Sequence, residues 1–476
     1  MKKDINFFHI RYRVLQQVSG HRTEKRKIIP QKKIINNNLI ENAMKTFKSI
    51  PIITVFILAA FAIQTAKAGM IKDKKKNDQQ TFTSIKGKVV DKETLNALVF
   101  ASVTLKESNI ATVTNIDGEF MIKIPENETA KSLEISFLGY KNKVIPLSEM
   151  KNNGYKNIIT METAPIPIKE IIIKPLDPNL IMEKTISQIN KNYPDVPNLM
   201  TAFYRETIRK NRTYVSIGEA VVEIFKAPYN NDLRSDGARI YKGRKSTDVE
   251  KVDTVLFKLQ GGPVTSLELD IAKNPEEILT KEDMKYYDYS LTGVVEIDGK
   301  PHYIIDFIQK PGVEMPLFMG KFYIETTSYA ISSAEFGFNL SDKEAAASLF
   351  IRKKPLGMNV TPEIATYMIK YREQGGKWYF AYSRAEVKFK VNWKRRLFHT
   401  NYTTMSEIAV TDRTDQEVIK FASKDKIKYS DVFSDKVSDF TDPEYWGEYN
   451  VIEPDQSIES AIRRLARKLK FSDRKE

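Results

Sequence analysis

The chain contains no cysteine among its 476 residues. Disulfide bonds, thiol catalysis and a lipid-modified cysteine are therefore excluded. Histidine is also scarce, and only His302 and His399 follow the N-terminal region. A zinc site normally takes three or four His, Cys or carboxylate ligands, and no His-Glu-x-x-His motif is present. We expect both histidines to be ordinary residues of a β-sheet, and we expect neither a metal nor a cofactor.

Other catalytic signatures are absent as well. There is no Gly-x-Ser-x-Gly, and Gly261-Gly262-Pro263 has no Lys-Ser or Lys-Thr after it, so serine-hydrolase and phosphate-loop motifs are missing. Acid–base catalysis by paired carboxylates stays open, because spacing along the sequence says nothing about distance across a sheet. The sequence favours a protein that is not an enzyme.

The positive charge is unevenly distributed. The formal net charge is +14, but residues 1–43 hold ten Lys and Arg against three acidic residues, and Lys45, Lys48 and Lys67 add three more positive charges. The remaining chain is only mildly basic, and no Arg-rich stripe with interleaved aromatic residues is found. We therefore expect no nucleic-acid partner.

An export signal is predicted at residues 44–68. A short basic start precedes an uncharged apolar run over residues 50–63, and Ala66-Lys67-Ala68 places small residues where signal peptidase reads. The apolar run is shorter than a membrane-spanning helix requires, although a permanent N-terminal anchor is the alternative. Residues 1–43 would then be a basic extension that is not translated, and residues 69–81 a flexible linker.

Residues 82–164 show the period-two alternation of short β-strands. Ile85, Gly87 and Val89 alternate with lysines, later segments alternate in the same way, and Asp117-Gly118 marks a turn. Short alternating strands separated by polar turns are typical of a small β-sandwich.

Four blocks in this segment resemble a known family, and they are Ile85–Asp91, Phe100–Leu105, Thr114–Phe120 and Ile135–Tyr140. In this order they are similar to the carboxypeptidase-regulatory-like domain. The resemblance implies a transthyretin-like, immunoglobulin-type sandwich, of a kind common in outer-membrane receptors and other Gram-negative envelope proteins. Asn115 departs from the aspartate usual in the family, which weakens any carboxylate pair at the neighbouring turn. No catalytic residue of the peptidase domain can be carried over.

The period becomes helical after the sandwich, within a connector over residues 165–200. Residues 168–174 fit either an edge strand or an extended connection. Asp177-Pro178-Asn179 is a helix N-cap signal, and apolar residues at helical spacing follow until Pro194.

Residues 201–450 are predicted to form an antiparallel β-rich domain. Glycine-containing turns at Asp298-Gly299 and Gly375-Gly376 indicate a meander of hairpins. The predicted strands are Tyr214–Phe225, Thr292–Ile297, His302–Ile308, Phe322–Thr326, Ile331–Phe338, Tyr367–Arg372 and Trp378–Val391. The hairpin patterns around Tyr303–Phe307 and Gly320–Glu325 are similar to the curved half-barrel of periplasmic lipoprotein carriers.

Aromatic residues supply the candidate ligand contacts. An exposed cluster would suit stacking on sugars or packing against acyl chains, whereas aromatic residues in strands usually pack in the core or across strands. The predicted ligand-binding residues are Tyr286, Tyr287, Tyr289, Trp378 and Tyr379.

Residues 451–476 predict an amphipathic helix. Ile458, Ile462, Leu465 and Leu469 share one face, and the other face is basic. This helix either docks on the sheet or sits on an anionic membrane.

The expected fold is mainly β, with an Ig-like, transthyretin-like β-sandwich followed by a larger antiparallel sheet, a linking helix and a C-terminal helix. The expected function is that of a non-catalytic exported envelope protein, located in the periplasm or on the inner face of the outer membrane. It would bind an envelope protein or an apolar or glycan ligand. A periplasmic carrier of a lipid-like ligand would instead show an apolar concave face on the 203–410 sheet. A metallocarboxypeptidase-like hydrolase would show carboxylates clustered around His302 or His399.

Overall fold

The computed structural model describes residues 5–6, 82–151, 156–164, 176–230, 235–247, 257–276, 278–350, 357–394, 397–439, 445–460 and 462. The chain divides into two compact units, one formed by residues 16–80 and the other by the rest. The predicted export signal at 44–68, the linker at 69–81, residues 168–174 and nearly all of the extension at 1–43 lie outside the described residues. Everything below concerns the second unit.

The protein is mainly β, as the alternation predicts. A short strand, β1 (Ile5–Asn6), pairs in parallel with a short strand at Phe257–Lys258. The strands of the predicted sandwich follow, and they are β2 (Phe82–Asp91), β3 (Ser102–Leu105), β4 (Ala111–Val113), β5 (Glu119–Pro125), β6 (Ser132–Ser136), β7 (Lys143–Pro146) and β8 (Lys156–Met161). They form two small sheets, with strand orders β5-β2-β8 and β4-β3-β6-β7.

The sandwich has a core of its own. Val89, Val103, Phe120 and Ile135 are fully buried between its two sheets, because alternate residues of each strand point inward. Gly87 lies directly beneath the Phe120 ring, where any Cβ would clash. The alternation seen in the sequence is therefore the packing pattern of this core.

Helix α1 (Pro178–Asn192) begins at the predicted cap. The Asp177 carboxylate accepts a hydrogen bond from the Asn179 backbone N–H at 2.8 Å, which satisfies one of the free donors of the first turn. Ile181, Met182 and Ile189 form the buried side of the helix.

The remaining strands are β9 (Asn198–Lys210), β10 (Thr213–Lys226), β11 (Gly237–Thr247), the short β12 (Phe257–Lys258), β13 (Tyr287–Ile297), β14 (Lys300–Gln309), β15 (Phe318–Glu325), β16 (Ile331–Phe338), β17 (Met358–Gln374), β18 (Lys377–Trp393), β19 (Thr400–Thr414) and β20 (Ser438–Asp439). All of them except β12 form the larger sheet, which has eleven strands in the order β13-β14-β15-β16-β17-β18-β19-β9-β10-β11-β20. Two short helices, α2 (Pro263–Leu267) and α3 (Lys343–Phe350), lie in its connections.

The predicted hairpin meander runs from β13 to β19. Asp298 and Gly299 both have positive φ, and so do Gly375 and Gly376, as a two-residue hairpin loop of the I′ type requires. Strand β17 begins nine residues before the predicted Tyr367. The cause is Pro362, which interrupts the sequence pattern but sits at a bulge, where a strand tolerates proline.

One face of the eleven-stranded sheet is apolar, and we call it the apolar face. Ile305, Phe322, Ile369, Phe380 and Phe389 are buried there. Segments of the same chain cover this face, namely α1 and parts of residues 259–286, 317 and 346–350. The main core of the protein therefore lies between the sheet and its own connections.

The C-terminal helix starts where the sequence predicts. Residues 456–460 are helical, and Ile458 and Ile462 pack against Tyr214 and Ile217. Among the described residues, no helix is long and apolar enough to cross a membrane.

Candidate functional site

The opposite side of the sheet, which we call the charged face, carries a row of alternating charges. Strand register places each member of the row directly across from the next. From one side of the sheet to the other, the row is Arg244, Glu219, Arg205, Glu407, Arg384, Met368, Glu335, Lys321 and Asp306. Opposite charges across neighbouring strands stabilise a pairing register, so this row fixes how the strands align.

The centre of the row is a buried ion-pair network. Arg205 donates from Nε to Glu219 at 2.9 Å and from Nη1 to Glu407 at 3.2 Å. Arg244 bonds the second oxygen of Glu219 at 3.0 Å, and Arg384 bonds Glu407 at 3.3 Å. Arg205, Glu219 and Glu407 are each almost completely buried. Buried charges persist only where such pairing and hydrogen bonding compensate for lost water.

Residues 445–458 close this network from one side. The remaining Arg205 nitrogen donates to the Ile452 carbonyl at 2.7 Å. The Trp446 ring packs edge-on against Phe203 and lies 4.7 Å from the Arg244 guanidinium. These contacts make the segment a direct partner of the charged face.

The sandwich lies against the same segment. The Thr112 hydroxyl donates to the Val451 carbonyl at 3.2 Å, and Lys123 and Asn450 exchange two backbone-to-side-chain hydrogen bonds. The predicted turn residue Asp117 accepts a hydrogen bond from the Gln456 N–H at 2.9 Å, at the start of the C-terminal helix. Residues 445–458 therefore bridge the sandwich and the sheet.

The sandwich also contacts the sheet directly through Phe100. The Phe100 ring stacks on Tyr382 with centroids 5.6 Å apart and lies 5.1 Å from the Arg384 guanidinium. Its carbonyl accepts a hydrogen bond from Lys370 Nζ at 2.7 Å. A second link joins Asn109 to the Arg413 carbonyl at 2.6 Å. We call this whole boundary between the sandwich and the charged face the seam.

The Phe100 backbone is strained. Its φ is +60°, a conformation that favours glycine and costs other residues about 1–2 kcal/mol. Strain of this kind persists where the surroundings compensate for it, often at functional sites. Here the compensation is the insertion of the ring into the seam.

Three cavities lie in the seam, and Phe100 lines the second and the third of them. The first, about 390 Å³, lies between the sandwich and strands β16 and β17, and Lys370 and Arg372 line it. The second, about 380 Å³, has Met319, Gly337 and Phe100 in its lining. The third, about 200 Å³, reaches Arg205. The first two share Glu335 and Met368, so a polar cavity and a more apolar one adjoin.

The polar cavity contains two half-buried cations, Lys370 and Arg372, and its lining also includes the acidic residues Glu107, Glu134, Asp298, Glu335 and Glu373. Burial lowers the pKa of Lys370 to about 8, although nearby Glu335 and Asp298 partly offset the effect. Burial also lowers the pKa of Arg372 to about 10, and Asp298 again partly offsets the effect. Among the described residues, no hydrogen bond or ion pair reaches the Arg372 guanidinium. Desolvated cations of this kind are stabilised when an anion enters beside them.

The predicted aromatic residues occupy two separate places. Tyr286, Tyr287 and Tyr289 lie at the start of β13, whereas Trp378 and Tyr379 lie at the start of β18, towards the other end of the sheet. Tyr287 and Trp378 are buried in the core, and the other three are half-buried. Tyr379 stacks under Arg413 at 3.7 Å and lines a small cavity beside Arg372. Their role in ligand binding stays a prediction.

The two histidines differ. His302 is fully buried in β14, burial lowers its pKa, and its ring packs edge-on against Trp378. His399 is exposed beside the start of β19. Within the parts of the chain that the structure describes, no three His, Asp or Glu side chains are grouped to hold a metal.

The charged face is the part of the site that sequence reasoning missed. Arg205, Glu219, Arg384 and Glu407 all occupy strands, where a charge ordinarily indicates a solvent-facing position. Only the register shows that they face one another. The polar stretches Arg205-Glu206 and Arg384-Ala385-Glu386 within apolar strands were the available signal.

Known proteins resemble parts of this architecture. No curated protein matches the chain. A domain assigned to outer membrane lipoprotein sorting, from Vibrio parahaemolyticus, is 9% identical with a TM-score of 0.21, covering 51% of this chain and 95% of its own. A DUF1329 family protein from Desulfovibrio piger is 12% identical with a TM-score of 0.22, over 51% and 95% of the two chains. Lipovitellin is 10% identical with a TM-score of 0.25, over 50% and 28%.

The family comparison concerns the sandwich. The model of the CarboxypepD_reg-like domain matches residues 85–173, which include strands β2 to β8. The four sequence blocks, the two-sheet fold and this match agree. The chain therefore contains a carboxypeptidase-regulatory-like domain, and this domain forms one wall of the seam.

Proposed function

We propose that this chain is a non-catalytic binding protein of the Gram-negative cell envelope, and that the seam binds an anionic amphipathic ligand. The observation that carries the proposal is the pair of adjoining cavities in the seam. One holds Lys370 and Arg372, and the other exposes mainly apolar surface, with Phe100, Met319 and Met368 in its lining beside the charged residues Lys321, Glu335, Arg384 and Glu386. A ligand with an acidic head and an apolar body matches both.

The chemistry of the polar cavity favours an anion over a neutral head group. Lys370 keeps two of its three N–H donors after bonding the Phe100 carbonyl. Arg372 presents a planar fork of donors suited to a carboxylate or phosphate. A bound anion would stabilise the protonated form of both groups, so its affinity falls as the pH rises past about 8, where Lys370 loses its proton.

The floor of the second cavity explains how an apolar group fits. Gly337 carries no side chain, and a Cβ at this position would meet only the Ala365 carbonyl at 3.1 Å and the Thr366 methyl group at 3.8 Å. The missing side chain leaves a depression in an otherwise continuous sheet face. An alkyl chain or a ring can occupy it without moving the backbone.

The first test is native mass spectrometry and lipid extraction on the protein recovered from the bacterial envelope. A co-purifying acidic amphiphile supports the proposal. Recovery without any small molecule favours docking to a protein partner, which crosslinking then identifies.

The second test titrates the protein with dodecyl phosphate and with uncharged dodecyl maltoside. Lys370→Met and Arg372→Met should each weaken dodecyl phosphate binding about tenfold or more, since a hydrogen bond to a charged group contributes about 1.5–3 kcal/mol. Lys424→Met, which removes an exposed lysine elsewhere, is the matched control. Equal affinity for both detergents would contradict an anion site.

Two glycine-to-valine variants test the apolar part of the site separately from the anion site. Gly337→Val should block the alkyl chain and weaken binding. Gly293→Val is the control, because this strand glycine has similar room, with only Ile304 within 3.6 Å, and does not line the seam cavities. Unchanged binding in Gly337→Val would move the ligand out of this cavity.

A carrier of an apolar ligand is the second candidate function. The apolar face contains two buried hydroxyl groups, those of Tyr289 and Tyr367, for which the described residues provide no partner. Buried polar groups are ordinarily hydrogen-bonded, so a polar atom of a bound ligand could satisfy them. A ligand that protects peptides around Tyr289, but not those of the seam, in hydrogen exchange would favour this function.

A further inference from the structure

Two large apolar side chains project from one end of the eleven-stranded sheet. Leu397 is 98% exposed and Phe398 is 84% exposed. They lie between β18 and β19, next to the exposed Lys394 and His399. We call Lys394 and residues 397–399 the tip. Single exposed apolar residues are common, but two adjacent ones exposed this fully on a projecting loop need a separate explanation.

The chain around the tip is strongly basic. No carboxylate occurs between Glu386 and Glu407, whereas the same stretch carries five basic residues, which are Lys388, Lys390, Lys394, Arg395 and Arg396. The nearest acid across the sheet, Glu363, is already paired with Lys388 at 2.8 Å. The apolar pair therefore lies within a region of positive charge.

Another basic segment meets the same end of the sheet. The turn at Asn211 bonds Asn401 in both directions, at 2.7 and 3.0 Å, and brings Lys210 and Arg212 beside the start of β19. The Lys394 backbone N–H donates to the Gly357 carbonyl at 3.0 Å, which joins the tip to the start of β17.

We propose that this end of the sheet docks on an anionic lipid membrane, with Leu397 and Phe398 inserted between the head groups and the surrounding lysines and arginines contacting them. Buried apolar side chains and electrostatic attraction to anionic lipids together hold a protein at such a membrane surface. The proposal is independent of the ligand in the seam.

The shape of the tip favours a membrane over a protein partner. Two side chains supply on the order of 300–400 Å² of apolar surface, whereas a stable protein interface buries about 800 Å² on each partner. Contact between the tip and a second copy of the chain would bury too small an area for a stable interface, whereas insertion into a lipid surface needs only these two side chains.

A label placed at the tip tests the insertion directly. Because the chain has no cysteine, Leu397→Cys carries an environment-sensitive nitrobenzoxadiazole group at one defined position. The matched control is Ile158→Cys, at a 72% exposed apolar residue in the edge strand β8 of the sandwich. The readout is local, so an apolar segment elsewhere in the full chain does not influence it.

Vesicles of phosphatidylcholine with phosphatidylglycerol should shift the emission of the Leu397 label to the blue and leave the Ile158 label unchanged. Brominated lipids should quench only the tip label. No shift at the tip, or an equal shift in pure phosphatidylcholine, would overturn the docking on anionic lipid.

A partitioning experiment supplies the second measurement. Replacing Leu397 and Phe398 together by serine should reduce vesicle binding about 100-fold or more, because burial of each apolar side chain contributes about tenfold or more to binding. Ile158→Ser should leave binding unchanged, and added salt should weaken binding of the unsubstituted protein. If sedimentation shows a dimer that the serine variant loses, the tip is an interface between copies and the membrane proposal fails.

Discussion

The two faces of the eleven-stranded sheet are built on different physical principles. The apolar face is covered by segments that precede or connect its own strands, and its contacts are mainly those of a hydrophobic core, together with the buried ion pair of Lys226 with Asp270. The charged face is covered by a separate sandwich and by residues 445–458, through ion pairs, stacking and single hydrogen bonds. Apolar packing is non-directional and fills space, whereas directed polar contacts leave cavities between them. We therefore place the proposed binding site on the charged side.

Strand β9 shows this difference at two neighbouring residues. Arg205 points to the charged face, where it forms ion pairs with Glu219 and Glu407. Glu206 points to the apolar face, where its partner is the Tyr204 hydroxyl at 2.8 Å. Burial raises the pKa of Glu206 to about 8. Glu219 and Glu407 are thus paired with arginines, whereas Glu206 is buried beside a tyrosine hydroxyl group.

The largest effect is expected from Arg205→Met. This change leaves Glu219 and Glu407 without their shared partner, and breaking a buried pair in this way costs about 3–5 kcal/mol. Urea unfolding measures the loss. The triple variant Arg205→Met, Glu219→Leu and Glu407→Leu should recover only part of this loss, since Arg244 and Arg384 then lose their bonds to Glu219 and Glu407. A loss below about 1 kcal/mol for the single variant would show that the network is already hydrated.

Glu206→Gln addresses the apolar face. In the unfolded chain this group titrates near 4.5, and in the folded chain near 8, so the folded state binds the extra proton between these pH values. The stability contributed by Glu206 is complete below pH 4.5 and is lost as the pH rises towards 8, at up to about 1.4 kcal/mol per pH unit. Glu206→Gln should flatten this slope in unfolding measured across the window. An unchanged slope would mean that Glu206 is ionised in the folded protein.

Phe100 tests how the sandwich is held. Phe100→Ala keeps the strained backbone and loses the ring, whereas Phe100→Gly loses the ring and relieves the strain. The glycine variant should be more stable than the alanine variant by about 1 kcal/mol. Hydrogen exchange in residues 445–458 should rise in both variants, because the stacking on Tyr382 is lost. Equal stability of the two variants would contradict the strain.

The smallest effect is expected at the cap of α1. Asp177→Ala removes the hydrogen bond to the Asn179 N–H and should cost about 1 kcal/mol. The matched change Asp177→Asn keeps an acceptor and should cost less. Exchange should rise in α1 and leave the seam unchanged, because α1 covers only the apolar face. Faster exchange of the seam would show that the two faces are coupled.

Much of the fold could be predicted because its signals are local. The cap at Asp177, the hairpin turns at Asp298-Gly299 and Gly375-Gly376, and the alternation of strand β16 are each read within a few residues. The pairing of β9 with β19 is not local, since it joins residues about two hundred positions apart. No pattern within either strand specifies that partner.

The candidate site could not be predicted for the same reason. Arg205 and Glu407 are neighbours only through the register of β9 and β19, and Phe100 reaches Tyr382 only because the sandwich docks on the sheet. The predicted aromatic residues followed local composition, and composition cannot distinguish Trp378 in a core from an exposed stacking surface. The strands and helices could therefore be predicted from the sequence, whereas the seam depends on how they assemble.

The position of residues 445–458 has a consequence for the order in which the protein matures. Synthesis delivers the sandwich first, then the sheet, and only later the segment that joins them through Ile452, Val451 and Asn450. A ribosome-bound or interrupted product thus holds a finished sandwich beside an uncovered Arg205. Such a product would differ from the mature protein in the solvent exposure of this buried charge.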